Sequence, residues 1–325
     1  MRKRTFLMAV LAACAGDPLL AQAQGIDFEK IAIRTENVAP NIYALTGSAD
    51  VDPGHLDGAG GRIIVLVGPE GVFMVDAQYA PLTDRVLAAI AKISPSPIRF
   101  LVNTHSHPDH TGGNANIAKH GALLFSRDET RDQMRLPLPA IAAALAPQDD
   151  PARLPVVTYG TGSVVKIRLN NEVIDLVALP PAHTGGDTIV RFEKADVIAI
   201  GDIYSNYGYP FIDTHYGGAV KGLLEALDIT AKLAGPDTKL APGHGTIVKR
   251  AEIIAQRDMI LEVQALVQRM IASGKSEEEV LAAKLTAPYD AKVRGALTPL
   301  PAGLGTSTDR FVRAIYTELK RRQGS

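Results

Sequence analysis

The stretch VNTHSHPDHTGG, residues 102–113, places three histidines and one aspartate within six positions, directly after an apolar run. Crowded imidazoles repel one another once protonated, so a cation is their natural partner. His105 and His107 fall on one side of an extended backbone, while Asp109 and His110 turn towards another side. Nitrogen and carboxylate donors of this kind suit Zn²⁺, and less commonly iron or manganese. The stretch therefore predicts a metal site at the end of a strand.

Three later loops each add one donor of the same kind. His183 lies in LPPAHTGGDTI, Asp202 in VIAIGDIYSN and His244 in KLAPGHGTI, each following an apolar strand and flanked by glycine. Glycine allows the backbone and a metal to approach closely. Five histidines and two aspartates are more donors than one tetrahedral ion uses, so they predict two ions that share a bridging ligand. The other three histidines are interpreted as ordinary polar residues: His55, His120 and His215.

Apolar runs and turn residues predict an α/β chain with two β-rich halves, each followed by helices. The predicted strands are 42–47, 62–68, 71–77, 98–103, 122–125, 164–169, 173–179, 188–193, 197–202 and 238–243. The predicted helices are 81–93, 112–119, pieces of 128–150, 219–234, 249–273, one opened by a capping box at Ser276 and Glu279, and 308–322. The proposed division is a catalytic domain over 24–250 and a helical C-terminal extension over 251–325 that packs on it.

Residues 1–23 predict a signal peptide, because a basic start is followed by TFLMAVLAACAG and the cleavage-type sequence AQA. This apolar run is too short for a permanent membrane helix. The only cysteine, Cys14, lies here, and LAAC resembles a bacterial lipobox, so a lipid anchor on Cys14 is the alternative to simple cleavage. Either way we expect a periplasmic or secreted protein.

Residues 40–250 resemble the metallo-β-lactamase superfamily through the H-x-H-x-D-H run and the three later donors. The resemblance implies a four-layered αβ/βα sandwich with two zinc ions, or iron or manganese, at one edge between the sheets. The ligands implied for the first ion are His105, His107 and His183. The ligands implied for the second ion are Asp109, His110 and His244. Asp202 would bridge the ions, and Asp76 would orient a ligand histidine from outside the coordination sphere.

Two such cations would lower the pKa of a bridging water and supply hydroxide, with Asp109 as the catalytic residue that holds it and moves its proton. The expected reaction is hydrolysis of a lactam, lactone, ester or thioester. Asp202 at the bridging position resembles thioesterases of the glyoxalase II type and lactonases, whereas the best-known β-lactamases place cysteine or serine there. Export favours β-lactams instead, so the sequence leaves the substrate open.

Two loops are candidates for substrate recognition. The glycine-rich loop 48–61 would fold over the metals as a flap. The loop 202–218 concentrates aromatic residues in a chain with few of them, so Tyr204, Tyr207 and Tyr209 are predicted to line a pocket. Tyr204 or Tyr207 would also be placed to donate a hydrogen bond to an oxyanion. The alternative is that these rings only anchor the loop by packing.

Rival functions are an iron-dependent persulfide dioxygenase with one ion, a nuclease and a non-enzymatic metal binder. The dioxygenase would not need His110, Asp202 and His244 as a complete second site. A formal net charge of −1 gives no basic field for nucleic acid. The expected partner is therefore a small-molecule substrate, with no nucleic acid and no membrane contact beyond the possible anchor, while the oligomeric state is left open.

Overall fold

The computed structural model describes residues 27–47, 60–137, 146–162, 164–300 and 305–323. The predicted signal peptide with Cys14, and the predicted flap except its last two residues, lie outside these ranges. Among the helices of the described ranges, none combines the length and the apolar character needed to cross a bilayer.

The first sheet has seven strands that lie side by side in chain order. They are β1 (Ile33–Ala39), β2 (Ile42–Gly47), β3 (Ile63–Leu66), β4 (Val72–Val75), β5 (Ile98–Val102), β6 (Leu123–Arg127) and β7 (Val157–Tyr159). Pairing is antiparallel from β1 to β4 and parallel from β4 to β7. Every residue of β3 and β4 is buried, as expected for central strands that are covered on both faces.

The second sheet has five strands in the spatial order β12-β11-β10-β9-β8. They are β8 (Val164–Leu169), β9 (Glu172–Ala178), β10 (Thr188–Phe192), β11 (Val197–Gly201) and β12 (Lys239–Pro242). Only β11 and β12 pair in parallel, so the carboxyl ends of β9, β11 and β12 point towards the same edge. That edge therefore gathers three of the loops in which metal donors are predicted.

Helices flank both sheets. The α-helices are α1 (Thr83–Ala91), α2 (Pro108–Thr111), α3 (Asn114–Lys119), α4 (Asp128–Met134), α5 (Val220–Leu233), α6 (Arg250–Ala272), α7 (Glu277–Ala282), α8 (Ala287–Asp290) and α9 (Ser307–Gln323). Short 3₁₀ turns cover Phe28–Lys30, Ala80–Leu82 and Pro151–Arg153. The predicted capping box at the start of α7 is present, with Ser276 and Glu279 each accepting from the other's backbone N–H.

Three hydrophobic clusters hold the layers together. One lies between the two sheets, where the rings of Phe73 and Phe192 meet edge to face at 6.0 Å. A second joins the outer face of the first sheet to α1 and α3, and a third joins the outer face of the second sheet to α5, α6 and α9. This arrangement confirms the predicted four-layered sandwich with a helical C-terminal part.

Two strands are absent from the sequence prediction. β1 is an edge strand whose residues Arg34 to Asn37 are exposed, so it lacks the apolar alternation that marks a half-buried strand. β7 is only three residues long and closes the opposite edge of the same sheet. Both form because a neighbouring strand offers unpaired backbone groups, which no local pattern in their own residues reveals.

Candidate metal centre

Loops from both sheets bring all seven predicted donors to one place. β5 leads into the turn and short helix α2, and β9, β11 and β12 each end just before one of the later donors. The donor atoms form two groups, and within each group all of them lie within 4.8 Å of one another. The first group is His105, His107, His183 and Asp202. The second group is Asp109, His110 and His244.

In the first group three ring nitrogens converge. Nε2 of His105 lies 3.1 Å from Nδ1 of His107, and Nε2 of His183 lies 3.0 Å from the same Nδ1. Whether these pairs are hydrogen bonds depends on where each ring carries its proton, because a neutral imidazole has one donor and one acceptor nitrogen.

The opposite nitrogens of His107 and His183 are occupied by acceptors. Nε2 of His107 donates to Oδ2 of Asp213 at 2.9 Å, and Nδ1 of His183 donates to the carbonyl oxygen of Phe211 at 2.7 Å. In the neutral rings the inward nitrogens are therefore lone-pair nitrogens.

His105 is fixed in the same way through Thr104. The Thr104 hydroxyl donates to Oδ2 of Asp76 at 2.7 Å, so towards Nδ1 of His105, 3.0 Å away, it acts as an acceptor. Because Nδ1 of His105 carries the proton in this contact, Nε2 of His105 has a lone pair as well. Three lone pairs that face one another at about 3 Å are repulsive without a positive charge between them, so this group fits a cation.

The second group is arranged around carboxylates. Oδ2 of Asp109 lies 3.0 Å from Nε2 of His244 and 3.4 Å from Nε2 of His110. On its other side, Nδ1 of His110 donates to Oδ2 of Asp76 at 2.8 Å. The Nε2 atom of His110 thus faces the donors of its group, and Asp76 occupies the orienting place expected of it outside the donor sets.

Burial shows from which side the centre is open. The histidines of the first group and His110 are at most 1% exposed. The side chains of Asp202 and His244 are 13% and 16% exposed. Among the seven donors, these two side chains are therefore the most accessible to solvent.

Electrostatics distinguish the individual histidines. Burial lowers the pKa of His107, but its hydrogen bond to Asp213 and the charge of that carboxylate outweigh burial and raise the pKa. Burial, then the charge of neighbouring histidines, lowers the pKa of His105 well below its usual value and that of His183 to about 4, so both are neutral near pH 7. Burial acts the same way on His244, but Asp202 and Asp109 outweigh it and raise its pKa to about 10. A cation that binds beside His244 competes with this proton.

Two glycines make the close approach of the loops possible. A Cβ atom at Gly61 would fall on the imidazole ring of His110, and one at Gly243 would overlap Oδ1 of Asp202. The N–H of Gly61 also donates to the carbonyl oxygen of Asp109 at 3.1 Å. The last described residues of the predicted flap therefore pack directly on the second group.

The aromatic loop contributes to the centre through residues other than Tyr209. Tyr209 is 1% exposed, its hydroxyl donates to Asp290 at 2.7 Å, and its ring stacks on Phe311 at 5.4 Å. This corrects its prediction as a pocket residue, since the ring anchors the loop to the C-terminal helices. Tyr204 also packs in the hydrophobic cluster under α5 and α6. Tyr207 is half-buried beside Gly295, and its pocket role stays a prediction.

The loop instead presents Phe211, Asp213 and Tyr216 to the histidines. The Phe211 ring is stacked on His107 with centroids 5.9 Å apart, and the Tyr216 ring meets His107 edge to face at 5.7 Å. Sequence reasoning missed Asp213 in this role, whereas Phe211 and Tyr216 belong to the aromatic residues of the loop that it indicated. No motif spacing marks Asp213, and only the fold of the loop turns it towards the centre.

Comparisons with known proteins agree with this geometry. The sequence profile of the metallo-beta-lactamase superfamily matches residues 56–244, which span all seven donors. The alpha subunit of a 2,4-dinitroanisole O-demethylase from Nocardioides sp. is 24% identical over 207 residues, or 61% of this chain and 56% of that protein. A hydroxyacylglutathione hydrolase from Nitrosococcus oceani is 31% identical over 167 residues, or 50% of this chain and 55% of that protein.

The chain thus spans little more than half the length of these two relatives. Among solved structures, a stereoselective inverting sec-alkylsulfatase from Pseudomonas sp. superposes with a TM-score of 0.63 at 14% identity. That match covers 92% of this chain and 51% of the other, so it extends into the helical C-terminal part. At this identity the match concerns the fold alone.

Proposed function

The chain belongs to the metallo-beta-lactamase superfamily. On that premise we propose that it is an exported metal-dependent hydrolase, which binds two zinc ions and cleaves a lactam, lactone, ester or thioester. The proposed ligands of the first ion are His105, His107 and His183. The proposed ligands of the second ion are Asp109, His110 and His244. Asp202 would contact both ions.

The observation that carries the proposal is the position of one carboxylate. Oδ2 of Asp202 lies 3.7 Å from Nε2 of His183 in the first group and 3.3 Å from Nε2 of His244 in the second. Its other oxygen, Oδ1, lies 3.4 Å from Nε2 of His110. A carboxylate has enough lone pairs to serve both groups at once, which suits a shared ligand of two cations.

Zinc ions bound there would supply Lewis-acid activation of a water molecule and of the substrate's reacting group. The chain itself would hold the proton. In the metal-free protein burial raises the pKa of the Asp109 carboxyl, but the charges of His110 and His244 outweigh it and hold the pKa below its usual value. Zinc ions would need both rings neutral and would keep the carboxylate ionised in their place, so Oδ2 of Asp109 is an available acceptor. We assign Asp109 to accept the proton of the attacking water and to pass it towards the leaving group.

The rival reaction, persulfide oxidation at one iron, fits the site less well. It would leave the second group without a role, although Asp109, His110 and His244 are arranged as closely as the first group. A purely structural metal site would be closed on all sides, whereas Asp202 and His244 are open to solvent.

The proposed substrate is a carbonyl compound, in which the cleaved bond is at the carbonyl carbon. The hydroxyacylglutathione hydrolase relative is named for a substrate that carries an acyl group. The aspartate at position 202 supports the same class through its resemblance to thioesterases of the glyoxalase II type. Export is proposed from the N-terminal segment alone, as simple cleavage or as lipidation at Cys14. The proposed partner is a small molecule, because the net charge of −1 gives no attraction for nucleic acid.

The test combines metal analysis with a substrate panel on the full chain. Protein loaded with zinc should hold about two ions per chain. It should hydrolyse a member of a panel of lactams, lactones, carboxyl esters and thioesters, with phosphate and sulfate esters as chemically different comparisons. His107→Ala should abolish turnover, while His120→Ala, at an exposed position away from the donors, should retain it. One tightly bound iron per chain and no hydrolysis of any carbonyl substrate would overturn the proposal.

A further inference from the structure

We propose that Arg310, on the C-terminal helix α9, binds an anionic group of the substrate beside the metal centre. The proposal rests on the proposed function and narrows its substrate class to compounds that carry a carboxylate, or an anion of similar shape, several atoms away from the bond that is cleaved. Nothing in the metal-donor motif points to this residue, because it lies 66 positions beyond His244 in the chain.

One aromatic ring, that of Phe211, lies between Arg310 and the histidines of the metal centre. Its guanidinium carbon lies 4.0 Å from the centroid of the Phe211 ring. The same ring is stacked on His107 with centroids 5.9 Å apart and meets His183 edge to face at 5.4 Å. Taken together, these distances place the guanidinium no more than about 10 Å from the centre of the His107 ring, within the span of a small substrate.

The charge of Arg310 has no partner in the described part of the chain. Its Nε atom is buried without a hydrogen-bond partner, and the guanidinium forms no ion pair with a described carboxylate. The carboxylate of Asp213 is near enough for its charge to raise the pKa of Arg310 against the lowering by burial, but its oxygens accept from other donors. Its Oδ2 accepts from His107, and its Oδ1 accepts from the N–H groups of His215 and Tyr216.

An unpaired, largely buried guanidinium is unfavourable, so its presence beside a catalytic centre calls for a ligand. The guanidinium carbon lies over the Phe211 ring, and a contact of this kind uses none of the N–H donors, which a carboxylate could engage. Burial lowers the pKa of Arg310 to about 10, so it is still charged near pH 7. The residue is also partly exposed, which leaves a path for the ligand.

The competing explanation is structural. Arg310 would hold Phe211 in place by a cation–π contact, and Phe211 in turn would hold His183 through its carbonyl oxygen. This role predicts an equal loss for every substrate when Arg310 is changed. Recognition of an anion predicts a loss that depends on the charge of the substrate.

The experiment compares two esters with the same leaving group on zinc-loaded full-length protein: p-nitrophenyl butyrate, which is neutral, and mono-p-nitrophenyl glutarate, which carries a distal carboxylate. Arg310→Gln should lower the ratio of kcat/KM for the anionic ester to that for the neutral ester about 10- to 100-fold, the range of a lost charged hydrogen bond. Arg310→Lys should give a ratio between that of the wild type and that of Arg310→Gln. Arg313→Gln removes a cation from the same helix that is paired with Glu277, and it should leave the ratio unchanged.

A binding arm separates this proposal from the proposed function. Glutarate, propanesulfonate and methyl phosphate are titrated calorimetrically into chelator-treated wild-type and Arg310→Gln protein, so that no metal ion can bind the anion. If at least one of these anions binds to the wild type and not to Arg310→Gln, the Arg310 site is supported, even when no ester is hydrolysed. The absence of ester hydrolysis would contradict the proposed function alone. Ester hydrolysis with an unchanged ratio in Arg310→Gln, or an equal fall for both esters, would overturn the Arg310 proposal alone.

Discussion

Oδ2 of Asp213 lies 2.9 Å from Nε2 of His107, and this contact determines which nitrogen of the ring faces the metal centre. Because the carboxylate accepts the Nε2 proton, Nδ1 is left with its lone pair directed at His105 and His183. Asp76 does the same for His110 by accepting from Nδ1. Carboxylates that bind no metal themselves thus set the orientation of rings in both groups.

Replacing Asp213 by asparagine should weaken metal binding about 10- to 100-fold, because the side chain loses the charge that holds the His107 ring in this tautomer. The measurement is a competition between the protein and a chromophoric chelator for zinc. Asp237→Asn, at an exposed position away from both donor groups, is the matched control and should bind zinc like the wild type. Equal zinc affinity in Asp213→Asn and the control would show that the contact has no role in the metal site.

Removing the metal should also destabilise the fold. Without a cation, the repulsion among the imidazoles of the first group is unrelieved, and free zinc at 100 times its dissociation constant stabilises a binding protein by about 2.7 kcal/mol. For a chain of this length we expect the unfolding temperature to rise by about 4 °C when zinc is added to chelator-treated protein. Calorimetry of His107→Ala provides the comparison. Zinc should raise the unfolding temperature of this variant much less than that of the wild type. A rise of the same size in this variant would mean that zinc binds elsewhere.

Much of the site could be predicted because its donors are local signals. Each of the seven follows an apolar strand, and strand ends of a sandwich meet at one edge. Asp76 could be found in the same way, since it directly follows β4. Asp213 could not, because it reaches His107 only through the path of an irregular loop, 106 positions along the chain.

The aromatic loop shows a second limit of the sequence. A cluster of rings indicates burial, but composition does not tell a pocket wall from a core. The ring of Tyr209 packs on Phe311 of α9, about a hundred positions later, whereas Phe211 and Tyr216 lie beside His107. Side-chain direction in a loop depends on tertiary contacts that no periodic pattern encodes.

If Tyr209 is an anchor, Tyr209→Phe should lower the free energy of unfolding by about 1–2 kcal/mol, since the hydroxyl leaves Asp290 and the carbonyl oxygen of Thr286 without their donor. Hydrolysis in the folded enzyme should be unaffected. Urea unfolding and steady-state kinetics measure the two effects. Tyr43→Phe is the control, because the Tyr43 hydroxyl has no hydrogen bond to another described residue and its loss should change neither. A kinetic defect in Tyr209→Phe without loss of stability would restore its interpretation as a pocket residue.

Gly222 in α5 packs against the carbonyl oxygen of Pro181, two residues before the donor His183, so closely that a Cβ atom would overlap it. In an isolated helix, alanine is favoured over glycine by about 1 kcal/mol. Here the clash must push α5 away from the loop, and overpacking of this kind costs about 1–3 kcal/mol. We therefore expect Gly222→Ala to lower the free energy of unfolding and, because the loop carries His183, to weaken zinc binding as well.

Urea unfolding and chelator competition together test this expectation. Gly235→Ala is the matched control, since its Cβ would make only an ordinary contact with Oγ1 of Thr238 at 3.5 Å. It should keep the zinc affinity of the wild type. If Gly222→Ala instead stabilised the protein by the amount expected from helix propensity, close packing of α5 on the loop would not be needed to position His183. Other contacts would then hold this residue, such as the hydrogen bonds of its Nδ1 to Phe211 and of the Asp213 N–H to its carbonyl oxygen.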